Sequence, residues 1–441
     1  MGRTELLFPD WFVWGAATAS HQVEGNNVNN DWWAWEQAGG HIRNGDRSGA
    51  ACDWWNRAED DFDLACELGQ TGHRLSLEWS RLEPRPGEWN DAAFERYRQM
   101  LAGLRKRGIE PMVTLFHFTL PAWFADLGGW TNPDAIRYFS RYVERVIEEL
   151  GDLVTLWCTI NEPAVYAFSS YLEGKWPPGQ KSIRQMLRVL RTLMLAHGEA
   201  HRIIHALSGD AQVGLVKNFP IAEPARPDSA IDRRIAAQVD RIFNVLPMNA
   251  ALTGQFRPPL GFGTVTKLMD SVDFIGVNYY TRFLFGLDSE NPAGSLTPRL
   301  KPGAEISDLD YGEIYPQGLY QVLKRLQPYG KPIYITENGL PDADDDVRPR
   351  FLLTHLAQMW RAMQEGVLVR GYYHWSLLDN FEWAEGYAMR FGLIEVNFAT
   401  GERRIRDSGR LYGQIAQTNA ITPELVRQYA PEAMPAIFGD G

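Results

Sequence analysis

The chain has 441 residues, 45% of them hydrophobic and 22% charged, which is typical of a globular protein with a large core. Its formal net charge of −11 argues against nucleic acid as a partner, because phosphate groups favour a basic surface. No stretch approaches the roughly 20 apolar residues that a membrane span needs, which argues against a membrane partner.

Eight short apolar or β-branched runs recur along the chain, and each ends on a polar residue and precedes a helical pattern. In chain order they are 12–19, 72–77, 110–116, 154–160, 211–216, 272–277, 332–336 and 369–373. Strands that alternate with helices imply a parallel sheet, and eight of them imply a closed barrel. The predicted fold class is therefore α/β, a single (β/α)8 TIM barrel spanning residues 1–441. The strand ends lie roughly 40 to 60 residues apart, which predicts extended βα loops.

The segment 133–150 illustrates the helices between the strands. Apolar residues recur there at intervals of three and four, with charged residues between them. Asn132 and Pro133 are predicted to start this helix as cap and first residue, and Gly151 to end it. Further along, residues 289–310 are rich in proline, glycine and serine, and are predicted to form a long loop near the barrel mouth.

Two of the polar strand ends carry a glutamate. Glu162 lies in the run Thr-Ile-Asn-Glu-Pro (159–163) and Glu337 in the run Ile-Thr-Glu-Asn-Gly (335–339). A carboxylate at the carboxyl end of a barrel strand points into the barrel mouth, where this fold places its chemistry. Two such carboxylates form the acid and the nucleophile or base that cleave a glycosidic bond. A separation of about 5 Å means retention of anomeric configuration and about 6.5–9.5 Å means inversion, which the sequence leaves open.

The two carboxylates need opposite environments. A general acid is protonated at neutral pH only if burial or a nearby negative charge raises its pKa, and the second glutamate supplies such a charge. Glu337 needs a cationic or hydrogen-bond-donating neighbour that keeps it ionised, and we expect Arg74 and Tyr280 to lie beside it. The remaining strand ends predict a mouth lined by Gln22, His117 and Trp375.

Other patterns in the sequence do not indicate a cofactor or a metal. No Gly-x-Gly-x-x-Gly or Walker motif follows a strand, so a nucleotide cofactor is not expected. His197 and His201 share one helix face, but no third ligand is evident and we favour a role without metal. The acidic run 342–346 lacks the glycine and terminal glutamate of an EF-hand, and is predicted to be a solvated turn.

Four longer runs are more specific than the strand ends alone. They are Phe-Val-Trp-Gly-Ala-Ala-Thr-Ala-Ser-His-Gln-Val-Glu-Gly (12–25), Thr-Ile-Asn-Glu-Pro (159–163), Ile-Thr-Glu-Asn-Gly (335–339) and Trp-Ser-Leu-Leu-Asp-Asn-Phe-Glu-Trp (375–383). In this order they resemble the retaining β-glycosidases of glycoside hydrolase family 1, and the resemblance extends over residues 8–413.

The resemblance implies roles for residues of these motifs and of other strand ends. Glu162 corresponds to the acid/base and Glu337 to the nucleophile. Asn161 and Tyr280 are further catalytic candidates, together with Arg74, which we expect beside Glu337. The residues that would bind the sugar are Gln22, His117, Asn161, Asn278, Tyr280, Trp375, Glu382 and Trp383. A carboxylate at the Glu382 position would repel a phosphate, which argues against 6-phosphoglycosides as substrates.

Several segments depart from the family pattern. Residues 117–121 read His-Phe-Thr-Leu-Pro where His-Trp-Asp-Leu-Pro is usual, so the histidine stays while the wall of the site changes. Glu78 stands where a small residue is common, and it either forms an ion pair with Arg81, which we favour, or perturbs the catalytic pair. Residues 30–36 resemble the variant of archaeal-type members.

The leading hypothesis is a β-glucosidase that hydrolyses terminal, non-reducing, unphosphorylated β-D-glycosyl residues through a covalent glycosyl-enzyme intermediate. Broad activity on galactosides and fucosides, or transglycosylation, is the alternative within the family. A sugar-binding barrel without catalysis and a metal-dependent hydrolase are the rivals of another class. Trp123 and Trp176 either line the aglycone side or pack internally. The expected partner is a small-molecule β-glycoside or oligosaccharide, and the oligomeric state is left open.

The cysteines and the amino terminus suggest a location. Cys52, Cys66 and Cys158 are an odd number with no Cys-x-x-Cys spacing, which argues against a disulfide framework and a zinc site. A reducing compartment is the simpler inference. The amino-terminal residues contain no apolar core of signal-peptide length, so we predict a cytoplasmic protein.

Overall fold

Eight parallel strands close into a barrel in the computed structural model, which describes residues 5–288 and 296–439. The strands are β1 (Val13–Ala17), β2 (Gly72–Ser76), β3 (Glu110–Phe116), β4 (Leu156–Asn161), β5 (Gln212–Asn218), β6 (Phe274–Tyr279), β7 (Ile333–Asn338) and β8 (Val369–Trp375). They follow one another around the barrel in chain order, and β8 pairs with β1. Each predicted run contributes one strand, so the (β/α)8 TIM barrel is confirmed.

A helix follows each barrel strand. The helices are α1 (Trp54–Glu67), α2 (Asp91–Lys106), α3 (Ala135–Leu150), α4 (Ile183–Leu207), α5 (Ala230–Asp240), α6 (Pro316–Leu326), α7 (Arg348–Gln364) and α8 (Asp407–Thr418). A π-helical turn at Arg241–Val245 leads from α5 into a further helix, Leu246–Thr253. Within the described residues, none of the helices combines the length and the apolar character that crossing a bilayer requires.

Shorter elements fill the βα loops and the chain ends. Short helices span Ser20–Val23, Asp31–Ala38, Trp79–Leu82, Ala122–Asp126, Pro163–Phe168, Pro423–Tyr429 and Met434–Phe438. Small two-stranded sheets pair Leu6–Leu7 with Ala420–Ile421, Ile221–Pro224 with Arg282–Phe285, Gly254–Phe256 with Gly263–Met269, and Ile394–Val396 with Arg403–Ile405.

Helix α3 begins later than predicted. The side chain of Asn132 accepts a hydrogen bond from the backbone N–H of Asp134 at 2.7 Å, so the capping interaction ends before Ala135, the first helical residue. The helix ends at Leu150, before Gly151, as predicted. Its apolar stripe is buried and consists of Phe139, Tyr142, Val143, Val146, Ile147 and Leu150.

The acidic run 342–346 is a turn ahead of α7, and the prediction of a solvated turn holds for only part of it. Asp342 is buried, and its Oδ2 accepts two backbone N–H groups at the start of α7, at 3.0 and 2.7 Å. Asp345 is also engaged, since its Oδ1 accepts the hydroxyl of Ser408 at 2.6 Å. This turn therefore anchors the amino end of α7.

The barrel interior at the start of β1 and β2 is filled by a side chain from β8. Tyr373 is fully buried, and its ring lies against the backbone of Gly15 and Gly72. A Cβ atom added at Gly15 would lie 2.5 Å from the carbonyl oxygen of Gly72 and 2.6 Å from the Tyr373 ring. Glycine is therefore required at Gly15 because the neighbouring strand and the tyrosine occupy the space of any side chain.

Replacing Gly15 with alanine should overpack this layer and lower the free energy of unfolding by about 1–3 kcal/mol, measured from the urea midpoint. Gly209→Ala is the matched control, because a Cβ atom there meets nothing within 4 Å. Equal unfolding midpoints for the two variants would contradict this account of the barrel interior.

Candidate active site

The carboxyl ends of the barrel strands open into a cavity of about 560 Å³. Its lining includes His117, Asn161, Glu162, Tyr280, Glu337, Trp375, Glu382 and Trp383. The other predicted site residues are Gln22, Arg74 and Asn278, which donate hydrogen bonds to Glu382, Glu337 and Glu162. All the residues that the sequence analysis selected for the site therefore lie together at one end of the barrel.

The strands that carry the site are irregular where the polar residues begin. The pairing register shifts between Cys158 and Asn161 in β4, between Val277 and Asn278 in β6, and between Ile335 and Asn338 in β7. An irregularity of this kind bends a strand and re-aims the side chains beyond it. The shifts thus occur where strand-end side chains turn from the barrel wall to its mouth.

Five described residues that line the cavity have a left-handed backbone, and two of them, Leu309 and Asp310, lie on the loop before α6. The φ angles of the other three are +73° at Phe118, +45° at Glu162 and +48° at Trp383. Such conformations are uncommon for residues other than glycine, cost of the order of 1–3 kcal/mol each, and cluster at functional sites. At Glu162 the backbone N–H donates to the carbonyl of Val216 at 2.9 Å, and Pro163 starts a short helix immediately afterwards.

Two donors bind the Glu337 carboxylate. Arg74 Nη1 donates to Oε1, and the Tyr280 hydroxyl donates to Oε2 at 2.5 Å. Arg74 has no exposed surface, and its other nitrogens donate to Thr114 Oγ1 at 3.1 Å and Asn161 Oδ1 at 2.7 Å. Both neighbours therefore lie beside Glu337, where the sequence analysis expected them.

Glu162 has the opposite environment. Burial and then the negative charge of Glu337 raise the pKa of Glu162 from 4.5 to about 8, against hydrogen bonds from Asn278 and Asn218. The Asn278 amide donates to Glu162 Oε1 at 2.7 Å. Burial and the neighbouring charge therefore favour the protonated form of Glu162, while Glu337 is the carboxylate that Arg74 contacts. Two carboxyl groups whose environments separate their protonation states are the arrangement that acid–base catalysis uses.

Asn161 connects the surroundings of the two glutamates. Its Oδ1 accepts from Arg74 and, at 3.3 Å, from the amide of Asn278. Its Nδ2 lies 3.2 Å from Nε2 of His117. Burial, with the charge of Arg74, lowers the pKa of His117 well below its usual value, so this imidazole is neutral. With Nε2 accepting from Asn161, the proton of His117 lies on Nδ1, which is buried and has no partner among the described residues.

A second group of polar residues lies around Glu382. Gln22 Nε2 donates to Glu382 Oε2 and to Asn380 Oδ1, both at 2.9 Å, while Gln22 Oε1 is buried without a partner in the described part of the chain. Glu382 is half-buried, and loss of hydration together with the charges of Glu337 and Glu162 raises its pKa to about 8. The repulsion of phosphate expected from a carboxylate at this position is thus weaker than the sequence suggested.

Trp383 is held in place by aromatic rings. Its ring stacks on His117 at 6.0 Å and 19°, and packs against Trp32 at 4.7 Å. Trp32 belongs to the segment 30–36, which forms the start of the helix Asp31–Ala38 beneath the rim. Of the two tryptophans with alternative roles, Trp176 lines the cavity, whereas Trp123 packs on Trp79 and donates to a backbone carbonyl.

The prediction of an ion pair between Glu78 and Arg81 is wrong. Arg81 pairs instead with Glu24 at 3.0 Å, because its side chain extends toward the segment after β1. Glu78 is fully buried and accepts hydrogen bonds from neutral donors. The donors are Ser20 Oγ, Asn30 Nδ2, Ser80 Oγ and Thr119 Oγ1. Two of the departures from the family pattern, Glu78 and Thr119, are therefore hydrogen-bonded to each other, at 3.1 Å.

Sequence reasoning missed several residues of the cavity. Asn218 lines it and hydrogen-bonds to Glu162, and the signal was present, because Asn218 ends β5 just as the selected residues end their strands. Tyr311 and Met389 lie on loops without such a signal. Within the predicted loop 289–310, the described residues Pro298, Leu300 and Leu309 line the mouth, and residues 289–295 lie outside the described part.

Comparison with known proteins agrees with this geometry. The family model described as Glycosyl hydrolase family 1 matches residues 4–421. The chain is 34% identical to Beta-glucosidase A of Thermotoga maritima, over 94% of this chain and 98% of that protein. It is 35% identical to Beta-glucosidase A of Acetivibrio thermocellus, over 95% and 100%. The solved structure of the beta-glycosidase from Pyrococcus horikoshii matches with a TM-score of 0.90 and 41% identity, over 96% and 98%. This chain belongs to glycosyl hydrolase family 1.

Proposed function

We propose that the chain is a retaining β-glucosidase, a single catalytic domain that releases terminal, non-reducing, unphosphorylated β-D-glucosyl residues. The observation that carries this proposal is the pair Glu162 and Glu337 in one cavity. The first has its pKa raised to about 8, and the second accepts from Arg74 and Tyr280. One carboxyl group is thus an acid and the other an anion at the same pH, as glycosidic cleavage requires.

In the first step, a carboxylate oxygen of Glu337 attacks the anomeric carbon and forms a C–O bond as the glycosidic C–O bond breaks. The proton of Glu162 passes to the departing oxygen, which leaves as an alcohol. The negative charge of Glu337 disappears in the resulting ester. Because that charge contributes to the raised pKa of Glu162, the acidity of Glu162 increases in the intermediate.

In the second step, Glu162 is a carboxylate and accepts a proton from water, whose oxygen attacks the anomeric carbon. The ester bond to Glu337 breaks, and the sugar leaves with its original anomeric configuration. The same two groups therefore act in both steps, and the change in charge on one sets the protonation of the other.

The unsatisfied polar atoms of the cavity suit a sugar. His117 Nδ1 is a donor and Gln22 Oε1 an acceptor that find no partner in the described part of the chain, and both are buried. A buried polar atom without a partner is costly, so a hydroxyl group that satisfies it is bound selectively. Trp375 and Trp383 supply apolar faces in the same cavity.

The rim of the cavity does not favour a phosphate. Of its two cationic side chains, Arg43 pairs with Glu385 at 2.6 Å and Lys175 with Glu173 at 3.3 Å. The buried guanidinium of Arg74 donates a hydrogen bond to Glu337. Phosphate recognition requires charge-assisted donors. The described lining therefore supports an unphosphorylated glycone.

The leaving-group side has a different character. A second cavity of about 180 Å³ shares with the first the residues Val165, Ser169, Glu173, Phe283 and Pro298. Its further walls are largely apolar and include Phe168, Phe243 and Phe285. An apolar leaving group gains free energy by burial there. Aryl and alkyl glucosides are thus the proposed preferred substrates over cello-oligosaccharides.

We also propose a cytoplasmic location. Cys52 and Cys158 are buried, Cys66 is half-buried, and all three are free thiols. Free thiols are typical of reducing compartments.

Two substitutions test the catalytic assignment. Glu337→Gly should abolish hydrolysis of an aryl β-glucoside, and azide should restore turnover by attacking from the vacated side, giving a glycosyl azide of inverted configuration. Glu162→Ala should retain kcat/KM for dinitrophenyl glucoside, which reports the first step, but lose activity on cellobiose by about 100-fold or more, since only a poor leaving group needs the proton in that step. Product configuration by NMR and initial rates are the measurements.

The control for both variants is Glu424→Gln, an exposed glutamate of the last part of the chain, which should retain full activity. Cellobiose turnover at the unsubstituted rate by Glu337→Gly or Glu162→Ala would refute the assignment.

The pH dependence should follow Glu162. An acid with a raised pKa is in its active, protonated form below that pKa, so kcat/KM should decline as the pH rises through about 8. Glu382 also has a pKa of about 8, so a variant of each is needed. In Glu162→Gln, assayed with dinitrophenyl glucoside, the basic limb should vanish, and in Glu382→Gln it should persist. If the basic limb instead persists in Glu162→Gln and vanishes in Glu382→Gln, it belongs to Glu382.

A substrate panel tests the specificity. We expect kcat/KM for nitrophenyl β-glucoside to exceed that for its 6-phospho derivative by about 100-fold or more, corresponding to roughly 3 kcal/mol. Octyl and nitrophenyl glucosides should be preferred to cellobiose, and Phe243→Ser should reduce this preference by raising KM for octyl glucoside. Equal values for the phosphorylated and plain glucosides would contradict the proposed glycone.

A further inference from the structure

A cluster of three potential ligands lies at the amino-terminal end of the barrel, opposite the catalytic cavity. His201 and His205 are one turn apart near the end of α4. Asp273 directly precedes β6, whose first residue is Phe274. His205 Nε2 lies 2.7 Å from Asp273 Oδ2, and His201 Nε2 lies 3.7 Å from Oδ1. One nitrogen of each imidazole and a carboxylate oxygen all lie within 4.8 Å of one another.

One of the potential ligand atoms has no hydrogen-bond partner among the described residues. His201 Nε2 is buried and makes no hydrogen bond in the described part of the chain, although it faces a carboxylate. The 3.7 Å separation is too long for a hydrogen bond. A buried polar atom left in this state requires an explanation, and an unrecorded ion is one of the usual ones.

A backbone hydrogen bond orients the carboxylate of Asp273. The backbone N–H of Val213, in β5, donates to Asp273 Oδ2 at 2.8 Å. Among the described residues, the ion-pair partners of Asp273 are the two histidines alone, so its charge is not neutralised by a lysine or an arginine. Hydrogen bonds that orient a ligating carboxylate are a regular feature of metal sites.

We propose that His201, His205 and Asp273 bind one divalent transition-metal ion, with Zn²⁺ the best match. Two imidazoles and a carboxylate are a donor set that zinc accepts, with water as fourth ligand. Bonds of about 2.0–2.2 Å place tetrahedral ligand atoms about 3.3–3.6 Å apart, so small side-chain rotations complete the geometry. The three side chains are 18%, 30% and 25% exposed, which leaves an entry path and room for the water.

The histidine pair chosen from the sequence differs from the pair in this cluster. His197 precedes His201 by one turn on the same helix, but it is fully buried and its Nδ1 lies 2.7 Å from Thr159 Oγ1. The side chain of His197 is therefore engaged with Thr159 of β4. His205, one turn later, faces Asp273, which comes from a distant part of the chain and supplies the third ligand that the sequence did not reveal.

The ion would join α4 to the segment between β5 and β6. It lies away from the catalytic cavity, so its expected effect is on thermal stability and not on glycoside hydrolysis. A ligand that binds the folded chain alone raises the unfolding midpoint in proportion to the logarithm of its concentration.

The test uses the full chain after dialysis against a chelator. With ZnCl2 added, equilibrium dialysis should give one bound ion per chain, and the unfolding midpoint should rise. His201→Gln is the informative variant, because His201 Nε2 makes no hydrogen bond within 3.5 Å to the described residues and lies 3.7 Å from Asp273. Its affinity for Zn²⁺ should fall by at least about 100-fold, more than is typical for loss of a supporting residue. Its activity on an aryl glucoside should be unchanged.

Two controls separate this site from adventitious binding. His41→Gln removes the remaining histidine that is not buried, and Cys66→Ser removes the cysteine that is half-buried. Both should bind Zn²⁺ as the unsubstituted chain does. Absence of stoichiometric binding by the unsubstituted chain, or equal affinity of His201→Gln and His41→Gln, would overturn the proposal. Loss of Zn²⁺ binding in Cys66→Ser would show that the thiol of Cys66 binds the ion, and this result would also overturn the proposal.

Discussion

The buried contact between Arg74 and Glu337 is central to the electrostatics of the cavity. Glu162, Glu337 and Glu382 contribute three carboxyl groups, and Arg74 is the buried guanidinium that contacts one of them. Arg74 contacts Glu337, whereas burial and then the charges of neighbouring carboxylates raise the pKa values of Glu162 and Glu382 to about 8. Burial, assisted by the charge of Arg74, lowers the pKa of neighbouring His117. Burial and the placement of Arg74 together therefore distinguish Glu162 from Glu337.

The barrel holds residues in conformations that short peptides avoid. Glu162, Phe118 and Trp383 all have positive φ angles, and register shifts in β4, β6 and β7 occur beside the site. Such conformations persist only where the surrounding structure over-determines them. Here the closed ladder of eight strands and the packed aromatic rings provide that restraint. The precision of the site is consequently a property of the barrel as a whole.

The departures from the family pattern compensate one another. Glu78 replaces a small residue on the second strand segment and Thr119 replaces a carboxylate on the third, and a hydrogen bond joins them. Arg81 does not pair with Glu78, because Glu24 already binds its guanidinium. Substitutions in a buried polar network are thus understood in pairs, since each donor needs an acceptor.

The sequence was sufficient for the strand order, the fold and most of the polar residues around the cavity, although Asn218 was missed. Local periodicity and the rule that barrel strands end at one rim were enough to find Glu162 and Glu337 without coordinates, and the resemblance to the family added residues such as Asn278. The sequence did not determine which side chains pair with each other. Whether Arg81 meets Glu78 or Glu24, whether His201 acts with His197 or with His205 and Asp273, and how far burial neutralises Glu382 depend on distances between remote parts of the chain. Hydrogen bonding and desolvation act over a few ångströms, and only the folded chain sets separations on that scale.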